Sequence, residues 1–194
     1  HLSLRRQRQM CIRDRAHTDP AAALDAYEQT ILAAPQRRLH TDPIVHAYAI
    51  TARRCGFHRE YLAAFFNSMR ADLTQREYSP SELQDYIYGS AEAIGLLCLQ
   101  IFLAEEDVSP ADRAAMERGA RALGSAFQKI NFLRDLGEDS STLGRTYFQQ
   151  APSGRIDEAT KSALIAEIRQ ELATAALTID VLPASARVGV SAAA

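Results

Sequence analysis

Long apolar runs are missing from this sequence. No stretch of about 18 residues is free of charge, and the longest apolar segment, AIGLLCLQIFLA (93–104), is too short to span a bilayer and contains Gln100. No spanning helix is expected, and nothing after the Arg-rich start has the form of a signal-peptide core. Cysteine is scarce. Cys11, Cys55 and Cys98 are odd in number and lack metal-ligand spacing, which speaks against a disulfide framework and for buried, reduced thiols in a cytosolic protein. The five histidines, at 1, 17, 40, 46 and 58, form no ligand pattern with them. Strand signals are almost absent. No G-x-G-x-x-G follows a strand, so nothing marks a nicotinamide site.

Helix signals are abundant. The 194 residues are 47% hydrophobic and 24% charged, enough for one globular domain with a real core. Asp19-Pro20 opens a helix to about Ala34, with Pro at its first position. Thr41-Asp42-Pro43 opens a second, closing at Cys55-Gly56. A third runs from His58 to about Gln75, with Leu62, Phe65, Phe66 and Met69 at helical spacing. Ser79-Pro80-Ser81-Glu82 is a capping box starting a long helix through Ala104. Ser109-Pro110-Ala111-Asp112 repeats the design and starts a helix to about Leu136, with Gly137 weakening its end. Residues 140–155 read as a loop, 156–182 as a helix stopped by Pro183, and a last helix begins near Ala184. With no repeat or linker, 16–194 is expected to form a single all-α domain.

The net charge of −2 is unevenly spread: residues 1–15, HLSLRRQRQMCIRDR, carry about +4 and leave about −6 on the rest. This tail has no helical periodicity and resembles translated sequencing adapter, so it is set aside as a non-native or disordered segment, and no nucleic-acid partner is assigned to it.

One polar pattern stands out. In the helix from Pro110, Gln128, Asn131, Asp135 and Asp139 fall within an arc of about 80°, while Leu123, Phe127 and Ile130 share another. Two acids four residues apart are most often a solvated face. Such faces mix their signs, however, and this arc holds no basic residue. Carboxylates at this spacing repel by about 0.2–0.5 kcal/mol, and their hard oxygens suit Mg²⁺ held together with water and phosphate. Arg145 and Tyr147 in the following loop could reach a diphosphate. The helix from Pro80 has its own stripe of Tyr86, Gly89, Ser90, Ala93 and Leu97, again within about 80°. Small residues there admit either a neighbouring helix, the commoner use, or an elongated apolar ligand.

NFLRDLGEDSSTLGRTYF (131–148) resembles the second aspartate-rich signature of the squalene/phytoene synthase family, N-I-L-R-D-x-x-E-D followed by G-R-x-Y. YIYGSAEAIGLLCLQIF (86–102) resembles the family's Y-x-Y-x-x-A-x-x-V-G segment, and SMRADLTQREY (68–78) the x-x-D-L-x-x-x-x-Y segment before it. The resemblance implies an all-α, isoprenoid-synthase-type helical bundle, present in part. It also implies head-to-head condensation of two prenyl diphosphates through a cyclopropyl intermediate, with Mg²⁺ as cofactor. By position, Asp135 and Asp139 would bind Mg²⁺, Gln128 and Asn131 would contact metal-bound water or diphosphate, and Arg145 and Tyr147 would close over it. Tyr86 would sit beside the reacting carbons, and Gly89, Ser90, Ala93 and Leu97 would line the tunnel for a prenyl tail. Asp72 would face the cavity or serve as a cap or core pair. Arg134, about 100° off the stripe, is expected to form a structural ion pair.

The family's upstream D-x-x-x-D motif does not precede His17, and its C-terminal helices do not follow Ala194. The chain is therefore expected to be a fragment cut at both ends and inactive alone. Three readings remain: phytoene synthesis from geranylgeranyl diphosphate, squalene or dehydrosqualene synthesis from farnesyl diphosphate, and a non-catalytic helical module binding a lipid or partner. The lipidic substrates leave room for peripheral membrane contact.

Overall fold

A computed structural model describes the backbone of residues 19–143 and 156–194, and the side chains of 19–135 and 156–194. Among the described residues every regular element is a helix. They fall into two compact units, divided after Ile50.

In the first unit, α1 (Pro20–Ala33) starts at Asp19, whose carboxylate accepts the Ala21 N–H at 3.0 Å. A 3₁₀ turn, Ala34–Gln36, follows. Helix α2 (Pro43–Cys55) starts at Asp42, which accepts from the N–H groups of Ile44 and Val45 at 2.8 and 3.2 Å. These caps satisfy amides that the first turn leaves without partners. Leu24, Ile31, Ala34, Val45 and Ala49 are buried. Helix α2 runs past the division to Cys55, and Gly56 ends it at φ +63°, the left-handed conformation that favours glycine.

The second unit holds α3 (Arg59–Thr74), α4 (Pro80–Ile87), a π-helical turn (Tyr88–Glu92), α5 (Ala93–Phe102), α6 (Pro110–Leu143), α7 (Glu158–Ile179) and α8 (Ala184–Ala193). The capping box at α4 forms in both directions: Ser79 Oγ accepts the Glu82 N–H at 3.3 Å, and Glu82 accepts the Ser79 N–H at 2.8 Å. At the start of α6 Ser109 Oγ accepts the Asp112 N–H at 3.1 Å and donates to Asp112 Oδ2 at 2.7 Å. Helix α6 organises this unit, because it enters three separate apolar clusters. Met116 packs with Leu99, Leu103 and Leu182. Ala126 packs with Leu164 and Ile168. Phe132 packs with Tyr78, Tyr86 and Ile87. Gln100, the polar residue inside the apolar run, ties down the turn after α2, donating to the Gly56 carbonyl at 2.9 Å and accepting the His58 N–H at 3.2 Å.

Several expectations are corrected. The helix from Pro80 is interrupted by the π turn and ends at Phe102. Helix α6 continues through Gly137 to Leu143, so the loop expected from 140 cannot start there. Ile130 is exposed, because the apolar side of α6 is divided among neighbours that leave this position uncovered. Cys98 is exposed and Cys55 half-buried, rather than both buried. Cys11 and the tail 1–15 lie outside the described residues. No described helix is long and apolar enough to cross a membrane.

Candidate functional site

Tyr86 is the residue on which three helices converge. It is the last but one residue of α4, and its side chain is buried. Its hydroxyl donates to Asp72 Oδ1 on α3 at 3.0 Å. Its ring meets Tyr78 edge-on, with centroids 5.2 Å apart, and lies 6.2 Å from the Phe132 ring on α6. Its backbone carbonyl accepts a hydrogen bond from Ser68 Oγ at 3.2 Å. Ser68 and Asp72 are one turn apart on α3, so one helix face grips both ends of the tyrosine. Asp72 itself is half-buried.

The polar stripe on α6 borders this cluster. Gln128 and Asp135 are the helical neighbours of Phe132, at i−4 and i+3. Gln128 is buried and Asn131 half-buried. The Asp135 side chain is only 12% exposed, which removes it from an open solvated face. It is not without a cation, however. Arg134 Nε and Nη2 donate to its two oxygens at 2.7 and 2.8 Å. The expected ion pair of Arg134 thus falls on the stripe itself, correcting the inference that no base serves that arc. Adjacent residues point about 100° apart on a helix, but the long arginine chain folds back across the gap. Asp139 belongs to α6, but its side chain, like Arg145 and Tyr147 altogether, lies outside the described residues.

The small-residue stripe is tightly packed. At Gly89 a Cβ would lie 2.1 Å from the Ala64 carbonyl oxygen and 2.3 Å from Ser68 Oγ, so this position is filled by α3 and not by a tunnel. That correction has a simple cause: a residue without a side chain lets two backbones touch. Ala93 and Leu97 are buried. Ser90 is buried too, and its hydroxyl finds no hydrogen-bond partner among the described residues. Sequence reasoning missed Ser68, Tyr78 and Phe132. Ser68 was detectable from its one-turn spacing to Asp72, and Phe132 from its place at the edge of the polar stripe.

Hard oxygen donors on α6 fit Mg²⁺ chemistry of the kind that uses one or two carboxylates and leaves the remaining positions to water and phosphate. Among the described residues no three His, Cys, Asp or Glu side chains form a closed metal cage.

A second feature adjoins the first along α6 and shares Phe132 with it. A groove of about 680 Å³ is lined by Leu83, Tyr88, Arg121, Lys129, Phe132 and Glu171, among others. Lys129 bonds Glu171 at 2.6 Å and Glu167 at 3.0 Å, and Ser125 donates to Glu171 at 2.7 Å. Burial works against the lysine's charge, but Glu171 and Glu167 outweigh it and hold its pKa above the ordinary value. Arg121 pairs with Glu92 at 2.7 Å and lies 5.4 Å from the centre of the Tyr88 ring.

Residues 10–176 match the family model for squalene/phytoene synthase. The chain is 44% identical over 86 residues to phytoene synthase 3, chloroplastic, of Zea mays, covering 42% of this chain and 19% of that protein. It is 33% identical over 111 residues to 4,4'-diapophytoene synthase of Staphylococcus haemolyticus, covering 57% of this chain and 36% of that one. The chain therefore spans well under half the length of these relatives. The solved squalene synthase HpnC of Alicyclobacillus acidocaldarius superposes with a TM-score of 0.74 at 21% identity, over 91% of this chain and 70% of that one. The fold is the all-α bundle that the sequence led one to expect.

Proposed function

The chain belongs to the squalene/phytoene synthase family, and on that premise we propose that it carries the site of an enzyme joining two prenyl diphosphates head to head, with geranylgeranyl diphosphate as substrate and phytoene as product. One observation carries the proposal. The Tyr86 hydroxyl is bonded to Asp72 while its ring meets Phe132, which neighbours Gln128 and Asp135 on α6. On this reading an aromatic surface for a carbocation would lie beside oxygen donors for a metal-bound diphosphate.

The chemistry asks for that combination. The C1–O bond of one substrate breaks, its electron pair leaves with the diphosphate, and an allylic cation remains. The double bond of the second substrate attacks it, and proton loss closes a cyclopropane ring. Mg²⁺, when bound, would offset the charge of the departing diphosphate. Asp135 and Asp139 would hold the ion, with Gln128 and Asn131 on its water or on the diphosphate. Arg134 would hold the Asp135 carboxylate in place. The faces of Tyr86 and Phe132 would favour the cation, and their burial would keep water from it. Arg145 and Tyr147 would close the diphosphate end, and Ser90, Ala93 and Leu97 would border the prenyl tail.

The 33% identity to a 4,4'-diapophytoene synthase favours a second reading, farnesyl diphosphate as substrate. Incubating the complete gene product with each labelled diphosphate and Mg²⁺ separates the two. Phytoene from geranylgeranyl diphosphate is the expected product; a C30 product alone would move the assignment to farnesyl diphosphate. Conversion of neither would leave a non-catalytic helical module.

A further inference from the structure

We infer that Ser68 is a positioning residue for Tyr86, acting through the π turn; the inference rests on the proposed role of Tyr86 beside the reacting carbons. Helix α3 holds Tyr86 at two points. Asp72 takes its hydroxyl at 3.0 Å, and Ser68 takes its backbone carbonyl at 3.2 Å in a buried site. The second bond falls at the mouth of the π turn Tyr88–Glu92, where the Ala93 N–H reaches back five residues to the Tyr88 carbonyl. A widened turn puts the helix ladder out of step, so a side chain bonded to a carbonyl there fixes where the irregularity sits. Gly89 makes the arrangement possible. Its missing Cβ is the space into which Ala64 O and Ser68 Oγ fit.

The hydroxyl of Ser68 therefore sets the register of α4 against α3, and with it the height of the Tyr86 ring over the site. Loss of the hydroxyl leaves the packing intact but frees the tyrosine to shift along α3. Misplacement of about 1 Å can cost on the order of a hundredfold in rate.

The test is a double-mutant cycle on turnover of prenyl diphosphate by the complete gene product, with Ser68→Ala, Tyr86→Leu and both together. Circular dichroism melting confirms that each variant is folded. Ser68→Ala is expected to lower kcat by roughly tenfold, with KM nearly unchanged. In the Tyr86→Leu background, where no ring is left to position, it should cost little, because coupled residues are not additive. Ser68→Thr, which keeps the hydroxyl, should recover most of the loss. Gly89→Ala, which forces the helices apart by another route, should lower kcat in the same non-additive way. An unchanged kcat in Ser68→Ala, or a full loss added on top of Tyr86→Leu, would overturn the inference and leave Tyr86 its role. An unchanged kcat in Tyr86→Leu would overturn the role of Tyr86 and the inference with it.

Discussion

Helix α6 has two polar sides, and they are built on opposite principles. On the side facing α7, Lys129, Glu167, Glu171 and Ser125 share bonds among themselves, and the apolar contacts of Ala126, Leu164 and Ile168 lie close by. Charge there is balanced locally, and a change at one member can be absorbed by the others. On the side bordering Tyr86, each polar group has a dedicated geometry: Asp72 on the Tyr86 hydroxyl, Ser68 on its carbonyl, Arg134 in a two-pronged pair with Asp135. The packing around it is backbone against backbone at Gly89. The first arrangement stabilises the bundle, and the second holds particular atoms at particular places. A polar stripe on a helix is thus not itself a sign of function. Neighbours held in fixed, non-exchangeable positions are the better sign.

The contrast can be broken most sharply at Asp135. Asp135→Ala should reduce turnover of prenyl diphosphate by at least a hundredfold, on the order of 3 kcal/mol of transition-state stabilisation, while the thermal midpoint moves little. Steady-state kinetics beside a melting curve reads both. If turnover persists, the two sides of α6 do not differ in function.

Lys129 should behave in the reverse way. Lys129→Met leaves Glu171 without its lysine, and one Glu171 oxygen already finds no partner among the described residues. A loss of about 1–3 kcal/mol in urea unfolding is expected, with kcat per folded molecule unchanged. A fall in kcat at unchanged stability would place this side in the site as well.

The smallest expected effect is on pH dependence. The Lys129 pKa is raised in the fold, so its contribution is present below the ordinary lysine value and is lost as pH climbs through the raised one. The caps do the opposite. Backbone and side-chain bonds to Thr160 hold Asp157, and bonds to Ser79 hold Glu82, below their ordinary values. Their stabilisation is present above the ordinary carboxylate range and fades as pH falls through the lowered values. Burial also raises Tyr48, Tyr61, Tyr88 and Cys98, so melting the parent and Lys129→Met across pH should show the alkaline limb weakened in the variant and the acidic limb unchanged; loss of the acidic limb as well would contradict the separation.

Much of this was written locally. Asp19-Pro20, Asp42-Pro43, Ser79-Pro80 and Ser109-Pro110 each begin a helix where they stand, because a cap acts within its own turn. The alignment of Gln128, Asn131 and Asp135 was equally readable, since helical geometry fixes it. The π turn was not readable. Nothing in YGSAE breaks a helix, and the turn coincides with the contact of Gly89 against α3, a partner distant in sequence. The Arg134–Asp135 pair escaped for a related reason, because adjacent positions on a helix do not face each other and only the reach of arginine joins them. Ser68 looked like an ordinary helical serine until its partner carbonyl on α4 was known.

The central claim is that metal and diphosphate gather on the Tyr86 side of α6 and not on the Lys129 side. A crystal of the complete gene product, grown with a non-ionisable prenyl thiodiphosphate and Mn²⁺ in place of Mg²⁺, tests it by anomalous scattering. Manganese is expected within about 2.2 Å of a carboxylate oxygen of Asp135 or Asp139, with the prenyl chain beside Tyr86. Manganese on Glu167 or Glu171, or a prenyl chain in the groove along Lys129 with none at Tyr86, would contradict it.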